Sequence, residues 1–380
     1  MQLKTVDIHI YRLDDDGTFE PLGVVNEYTS LIWPDKHNGY TTFELTAPVT
    51  RENRDLIKKE RIIWCGGDNA ARIEIIGVDT DENGQKVYKV KGRTLEMLLT
   101  TRIVLGTYNQ ANTCASTIMY DIVDKNCVNP IDKSRVITFL ECAEDEYLGK
   151  QISFQKTGSE VYDALESISN DAELGFDILF KPKEKKLIFK VTQGVDRSNI
   201  HTQGAVVFST DLQDVLKSSY YTNDQDVKTV AYVAGEGDGA NRSSVVSGDA
   251  TTKGFARREM YVDARDLQSE IQDEDGNTIT ISTTDYQNML TNRGAEKLAE
   301  CVAVETFEAE MRVVGDIQYI YGVDYDKGDK VLIQDTDIGV QIVATISEVS
   351  ENYDDEYELD ITFGFSYPTL IQKVKRQISK

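Results

Sequence analysis

Residues 72–91 read RIEIIGVDTDENGQKVYKVK, and this stretch decides the fold class. Apolar residues run through Arg72–Asp79 and again through Gln85–Lys91, with Asn83-Gly84 between the two segments. An Asn-Gly pair in that position is the strongest short-range signal for a β-hairpin, because both residues tolerate a positive φ. We therefore predict a hairpin here and strands on either side of it.

The rest of the first hundred residues favours strands as well. Val6, Ile8 and Ile10 alternate with polar residues, as in a half-buried strand. Thr50 is placed to cap a short helix over Arg51–Lys59. Further strands are predicted at Leu22–Val25, Leu31–Trp33, Thr42–Thr46 and Arg61–Trp64, with Trp33 and Trp64 in the core. Residues 1–93 form the first predicted domain.

The apolar period changes to 3.6 from about residue 94, which predicts helices. The predicted helices contain Leu95, Leu98 and Leu99, then Asn112–Asn126, then the segment after the capping-box pattern Thr157-Gly158-Ser159-Glu160. A hairpin of Phe176–Phe180 and Lys186–Val191 follows. Residues 94–203 therefore predict an α+β middle domain.

Strands return after about residue 204. They are predicted at Val206–Phe208, Thr229–Ala234, Met260–Val262, Thr278–Ile281, Lys330–Gln334, Val340–Val349 and Tyr357–Phe365. A hairpin turn is expected at 272–277, and a long helix from Thr283 or Thr284 to about Cys301. Residues 204–370 form a second β-rich domain, and the basic residues 371–380 form a tail. The fold class is α+β and β-rich.

Charge restricts the function. The chain of 380 residues carries 65 acidic against 41 basic side chains, a formal net charge of −24. Such a surface repels a phosphate backbone and an anionic membrane, so a protein that grips DNA is disfavoured. No apolar run approaches the roughly 20 residues that span a bilayer, and the first residues do not resemble a secretory signal.

Motifs for chemistry are weak throughout. The five cysteines form no C-x-x-C pair and the three histidines are isolated, so no zinc site is predicted. Asp79-x-Asp81-x-Asn83-Gly84 matches the opening of an EF-hand loop, but Val90 stands where the twelfth-position Glu belongs. Pairs of carboxylates that could hydrolyse glycosides cannot be judged from sequence spacing. We predict no catalytic residue, no cofactor and no metal.

Two segments are candidates for contacts between subunits. The loop Gly235–Gly239 follows a strand, but its acidic residues would repel phosphate, so a turning loop near a subunit contact is favoured. Tyrosine, present 19 times, is enriched at protein interfaces, which singles out Tyr220-Tyr221 and the Tyr319–Tyr325 region. Tyrosines alternating on ordinary strands are the alternative. The predicted interface residues are Gly235, Gly237, Gly239, Tyr319, Tyr321 and Tyr325.

Five stretches, in chain order, resemble tail-tip or baseplate-hub proteins of long-tailed bacteriophages. They are Gly23–Trp33 with Phe43–Leu45, Lys91–Arg102, Val230–Gly237, Tyr261–Leu267 and Tyr321–Val331, closing near Thr362-Phe363-Gly364. The resemblance covers the hub-like N-terminal region of tail-associated lysins. Because the chain stops soon after its last strand, the lysin extension and its activity are not expected here.

The resemblance implies two β-barrel-like domains with an α+β insertion, assembled as a homotrimer. Its ring of six pseudo-equivalent barrels would match a sixfold tail tube to a threefold tip. The implied function is that of a structural virion protein that closes the tail tube. It would form part of the DNA conduit during host attachment, where an acidic wall keeps DNA from sticking.

The implied partners are the distal tail protein ring, the tape-measure protein and a downstream fibre or receptor-binding protein. DNA is met only in transit and no membrane anchor is expected. The implied location is the virion tail, assembled in the bacterial host cytoplasm. A host-surface carbohydrate-binding adhesin of the tail is the alternative function, and a cell-wall hydrolase is a third.

Overall fold

The structure is a computed structural model. It describes residues 6–25, 27–81, 83–201, 203–209, 215–239, 242–272, 278–301, 303–311, 319–335, 339–354 and 357–364. The chain divides into two compact units, one formed by Met1–Tyr220 with Thr306–Lys380 and the other by Tyr221–Glu305. The boundaries predicted at residues 93 and 203 lie inside the first unit, and the division into domains stays a prediction.

The N-terminal segment of the first unit is built of strands. Its elements are β1 (Ile8–Leu13), β2 (Phe19–Val25), β3 (Ser30–Lys36), β4 (Thr42–Pro48), α1 (Arg51–Leu56), β5 (Ile62–Trp64), β6 (Ala70–Thr80) and β7 (Lys86–Thr94). The predicted hairpin is confirmed as β6 and β7, with the Asp81 carboxylate accepting the backbone N–H groups of Asn83 and Gln85. The hydroxyl of Thr50 caps α1, as predicted.

Helix α1 ends earlier than predicted. Its last residue is Leu56 rather than Lys59, because the backbone of Ile57 becomes extended and its side chain enters the core at 3% exposure. Burial of that one isoleucine outweighs another helical turn. Trp33 is buried as expected, and Trp64 packs half-buried at the edge of a second core.

The middle segment mixes helices and short strands. Its elements are a 3-10 helix at Leu95–Thr101, β8 (Thr107–Cys114), α2 (Ala115–Val123), a π-helical turn at Asp124–Val128, a 3-10 turn at Lys133–Arg135, β9 (Leu140–Cys142), β10 (Gln151–Thr157), α3 (Val161–Ala172), β11 (Gly175–Lys181) and β12 (Lys186–Thr192). The predicted β11–β12 hairpin is confirmed, and β9 joins it in parallel.

Two predictions for this segment are wrong. The helix expected over Asn112–Asn126 begins only at Ala115, because the three residues before it belong to β8, where Thr113 and Cys114 pair with β10. The expected capping box does not form, since Glu160 is the N-cap and no side chain caps α3. The hydroxyl of Ser159 is instead buried without a hydrogen-bond partner among the described atoms.

The second unit holds a small sheet and a helix. After β13 (Val207–Ser209) and β14 (Val215–Asn223) come β15 (Val230–Ala234), β16 (Ser244–Gly248), β17 (Glu259–Asp263), β18 (Glu270–Gln272), β19 (Thr278–Thr280) and α4 (Thr283–Ala299). The sheet β16-β15-β17 packs against α4 through Tyr286 and Leu290. Residues 273–277 of the predicted turn lie outside the described residues.

The chain then returns to the first unit. Its last strands are β20 (Val304–Met311), β21 (Lys330–Asp335), β22 (Val340–Tyr353) and β23 (Tyr357–Phe363). Phe365 and the predicted basic tail at 371–380 lie outside the described residues. No helix of the described part of the chain is long and apolar enough to cross a membrane.

One large sheet unites the two ends of the chain. Its strands follow the order β14-β20-β23-β22-β3-β4-β7-β6-β5-β1-β2, with β21 beside β22 and β13 beside β21. The link is the long strand β22, whose first part pairs with β21 and whose last part pairs with β3 from Glu348↔Lys36 to Tyr353↔Leu31. Separate hydrophobic cores lie under the two ends, around Phe43 and around Phe208 and Phe363.

Candidate functional site

The two ends of the large sheet repeat one strand order. We call β1 to β7 the N-terminal half-sheet, and β13, β14 and β20 to β23 the C-terminal half-sheet. Neighbours run β3-β4-β7-β6-β5-β1 in the first and β14-β20-β23-β22-β21-β13 in the second. Taken in chain order, the strands correspond as β1/β13, β3/β14, β4/β20, β5/β21, β6/β22 and β7/β23.

The correspondence extends to a β-bulge. The bulge of β6 falls between Ile73 and Ile75, and the bulge of β22 falls between Ile346 and Glu348. Bulges re-aim a strand and seldom arise at matching places by chance. One difference stands out: β1 is antiparallel to β5, whereas β13 is parallel to β21.

The segment before each bulged strand also matches. Glu60 donates its N–H to the carbonyl of Ile73 at 2.8 Å, and Gly328 does the same to Ile346 at 2.7 Å. Both donors adopt a left-handed backbone, with φ of 69° at Glu60 and 88° at Gly328. The two half-sheets therefore share one strand arrangement, which occurs twice in the chain.

A short sequence repeat accompanies the structural one. Thr42-Phe43-Glu44 opens β4 and Thr306-Phe307-Glu308 lies in β20. The registers place Phe43 opposite Gly92 and Phe307 opposite Phe363, which are counterparts on β7 and β23. This three-residue repeat is too short to be recognised before the strands are aligned.

Between the half-sheets and the middle segment lies a buried ion cluster. The ammonium of Lys327 contacts the carboxylates of Asp35 on β3 and Asp177 on β11, the latter at 2.5 Å. The Lys327 side chain is only 11% exposed and that of Asp177 7%. Breaking such a pair leaves an uncompensated buried charge, so the cluster fastens three distant segments together.

The protonation of this cluster follows from its burial. Burial opposes the charge of Lys327, but Asp177 and Asp35 together hold its pKa well above the usual value. Burial also raises the pKa of Asp35, against the pull of Lys327. Glu96, fully buried nearby, accepts the N–H of Ile178 at 2.8 Å, and burial with the Asp177 charge raises its pKa to about 7.

A second buried carboxylate, that of Asp329, holds the segment before β21. It accepts the N–H of Val195 at 2.7 Å, the guanidinium of Arg197 at 2.6 Å and the N–H of Asp326 at 3.1 Å. These bonds tie the end of the middle segment to the C-terminal half-sheet.

A cavity of about 180 Å³ lies beside this segment, lined by residues that include His37, Ser169, Gly194 and Lys330. Nδ1 of His37 is buried with no partner among the described atoms, and burial lowers the pKa of this imidazole to about 4. The histidine is thus neutral near pH 7.

The structure places the predicted loop Gly235–Gly239 against helix α4. The N–H of Glu236 donates to the Tyr286 hydroxyl at 2.9 Å, and Arg242 donates to the carbonyl of Gly235 at 2.7 Å. Gly237 and Gly239 have positive φ, which allows the tight turn. A side chain at Gly235 would overlap Tyr286.

The predicted tyrosines belong to the core of the C-terminal half-sheet. Tyr325 is 3% exposed and its ring lies edge-on to Phe208, with centroids 5.2 Å apart. The hydroxyl of Tyr319 accepts the N–H of Val207, and the ring of Tyr321 lies tilted against that of Tyr325, with centroids 5.8 Å apart. Tyr319 and Tyr321 are half-buried, and their role as contacts between subunits stays a prediction.

The described residues offer little for catalysis or metal binding. No group of three His, Cys, Asp or Glu side chains among them could hold a metal ion. Burial raises the pKa of the Cys127 and Cys142 thiols to about 12, which keeps them protonated and poorly nucleophilic. The Asp81 loop serves as a hairpin turn.

Comparison with known proteins now identifies the family. The sequence model of the family described as "Siphovirus ReqiPepy6 Gp37-like protein" matches residues 7–365. The chain belongs to this family. The phage resemblance drawn from the sequence is thereby confirmed. No curated protein matches the sequence.

Solved structures of other proteins share this fold. The 43 kDa tail protein of prophage MuSo2 from Shewanella oneidensis is similar with a TM-score of 0.53 at 12% identity, covering 94% of this chain and 97% of that chain. A tail protein from Neisseria meningitidis MC58 gives a TM-score of 0.53 at 11% identity, covering 96% and 97%. The chain therefore shares the β-rich fold of these tail proteins.

Proposed function

We propose that this protein is a structural hub component of a phage tail tip and acts as a homotrimer. The observation that carries the proposal is the repeated half-sheet: each chain contains two copies of one strand arrangement, joined edge to edge through β3 and β22. Three such chains around an axis supply six similar half-sheets. That number matches a sixfold tube on one side while the assembly keeps threefold symmetry on the other.

The buried ion cluster suits this structural role. A hub that closes a tube must keep its two half-sheets at a fixed angle, and the Lys327 cluster fastens β3, β11 and the segment before β21. Its buried ionic side chains are paired rather than poised for reaction. We infer that the protein is not an enzyme.

The charge suits a conduit. With a net charge of −24, the assembled ring is expected to carry acidic side chains on its inner wall, where they let DNA pass without binding. An electrostatic map of the assembled ring tests this, and a neutral or basic lumen would contradict it.

The proposed partners are the distal tail protein ring, the tape-measure protein and a downstream fibre or receptor-binding protein, within a virion tail assembled in the host cytoplasm. The segments Gly235–Gly239 and Tyr319–Tyr325 stay predicted contacts. Because Tyr325 is buried, any contact there would be made through its half-buried neighbours Tyr319 and Tyr321.

Light-scattering mass after size exclusion tests the proposal. A mass of about 128 kDa, three times the 42.7 kDa chain, is expected. A hexamer would indicate a tube or distal-ring component instead. A monomer at all concentrations, with no binding to a distal tail protein ring, would contradict the hub function.

A further inference from the structure

We propose that the trimer is made by strand pairing between copies, with β14 of one chain docking on the open edge of β6 in the next. This inference rests on the proposed homotrimer and names the surface that forms it. It follows from the half-sheet repeat, because a junction between two half-sheets is already present within each chain.

The junction within the chain is β3 on β22. Strand β22 extends beyond β21, and its residues from Glu348 to Tyr353 pair with β3 on the side where β21 has ended. Strand β3 thus has two neighbours, β4 of its own half-sheet and β22 of the other.

The counterparts of these two strands, β6 and β14, each have an edge with no neighbouring strand among the described residues. The counterpart of β22 is β6, which extends beyond the three-residue β5, and residues 75–80 have no strand on that side in the described part of the chain. The counterpart of β3 is β14, the terminal strand of the large sheet, with β20 as its one neighbour among the described strands.

The edge of β6 has the character of a pairing site. Ile75 is 60% exposed and Val78 49% exposed, in the run Ile75-Ile76-Gly77-Val78-Asp79-Thr80. Exposed strand edges are normally guarded by proline, lysine or bulges. The terminal strand β2 contains Pro21, whereas residues 75–80 of β6 contain neither proline nor lysine.

The two open edges are different surfaces of one chain, so they form a head-to-tail contact rather than a self-complementary one. Such contacts give closed rings when the rotation between copies closes. Repetition of the β3–β22 junction between chains gives a ring of six junctions, three within chains and three between them. The occupant of the β6 edge is therefore a second copy of this chain.

Val78 offers a clean test. The N–H of Asp81 donates to the carbonyl of Gln85 at 2.8 Å, so the alternate residues Asp79 and Gly77 also face β7 and Val78 points its backbone to the open edge. Val78→Pro removes one outward N–H and leaves the β6–β7 hairpin bonds in place. Val78→Lys adds a charge at the same point.

The expected result is a wild-type trimer and a threefold lower mass for both variants, with unchanged circular dichroism. The control is Val246→Lys, because Val246 is 46% exposed on a strand of the second unit and its substitution should leave the trimer intact. A trimeric Val78→Pro protein with the wild-type dissociation midpoint would overturn this interface while leaving the hub proposal standing. A wild-type protein that stays monomeric at all concentrations and does not bind a distal tail protein ring would overturn both.

Hydrogen exchange on the unmodified protein gives a test that needs no variant. Amides of residues 76, 78 and 80 and of β14 are expected to be protected in the trimer and to lose at least tenfold in protection on dilution to monomer. A trimer in which these amides exchange at the rate of an open edge would overturn the proposal.

Discussion

The two half-sheets share a strand order, a bulge and a left-handed residue before the bulged strand, yet they differ in what those features carry. In the N-terminal half-sheet the turn before β5 contains Lys59 and Glu60, both exposed. In the C-terminal half-sheet the matching residues are Lys327 and Gly328, and Lys327 is buried between Asp35 and Asp177. The same turn is therefore exposed to solvent in the N-terminal half-sheet, whereas in the C-terminal half-sheet it provides the buried lysine of the ion cluster.

The insertions differ in the same way. Strands β3 and β4 are joined by a short turn, whereas their counterparts β14 and β20 are separated by the whole second unit. A repeated scaffold tolerates such inequality because loops can lengthen at small entropic cost. The two half-sheets need to be similar only in the strands that pair at the junctions between half-sheets.

The largest difference between the half-sheets should appear on removing their matched lysines. Lys327→Met leaves buried carboxylates without a counter-charge, and we expect the free energy of unfolding of the first unit to fall by about 3–5 kcal/mol. Lys59→Met, on an exposed side chain, should change it by less than about 0.5 kcal/mol. Denaturant unfolding of both variants measures the contrast, and equal effects would show that the cluster does not fasten the fold.

The left-handed residues provide the next comparison. Gly328→Ala forces a Cβ into a positive φ and onto the His37 imidazole, which should cost about 2–3 kcal/mol of stability. Glu60→Gly relaxes the same backbone position in the other half-sheet and should stabilise by up to about 1 kcal/mol. Thermal unfolding of the two variants should therefore shift in opposite directions, and shifts of the same sign would break the proposed equivalence.

A further prediction concerns the pH dependence of stability. Because the pKa of Glu96 is raised to about 7 from an ordinary 4.5, the folded state holds a proton there that the unfolded chain has lost. The unfolding free energy should fall as pH rises between about 4.5 and 7, by at most about 1.4 kcal/mol per pH unit. Glu96→Gln should flatten this part of the profile relative to wild type. If Glu96→Gln leaves the pH dependence of the unfolding free energy unchanged, the proton is bound by a group other than Glu96.

Much of the strand map could be predicted from the sequence, because hairpins depend on local turns. The Asn-Gly turn fixed β6 and β7, and the Tyr357–Phe365 prediction found β23. Prediction failed where contact with a segment distant in sequence determines the secondary structure. Asn112–Cys114 extends β8 because β10 lies beside it, and the apolar period alone favoured a helix there.

The ion cluster could not have been predicted from one sequence. Lys327 lies 292 residues from Asp35 and 150 from Asp177. The residues next to a lysine in sequence do not indicate that it will pair with a buried carboxylate so far away. The predicted tyrosine contacts were chosen by composition, which cannot separate a packed tyrosine such as Tyr325 from an exposed one. The family resemblance implied two similar barrels in each chain, but the strands that correspond between the half-sheets became visible only from the strand registers, since the sequence repeat is as short as Thr-Phe-Glu.

Electron cryo-microscopy of the purified oligomer, averaged along its symmetry axis, tests the central claim most directly. We predict a closed ring of six similar strand-rich lobes around an open centre, with strict threefold symmetry and the second unit present three times. A ring with three lobes, or an assembly in which the two half-sheets of each chain occupy dissimilar positions about the axis, would contradict the account.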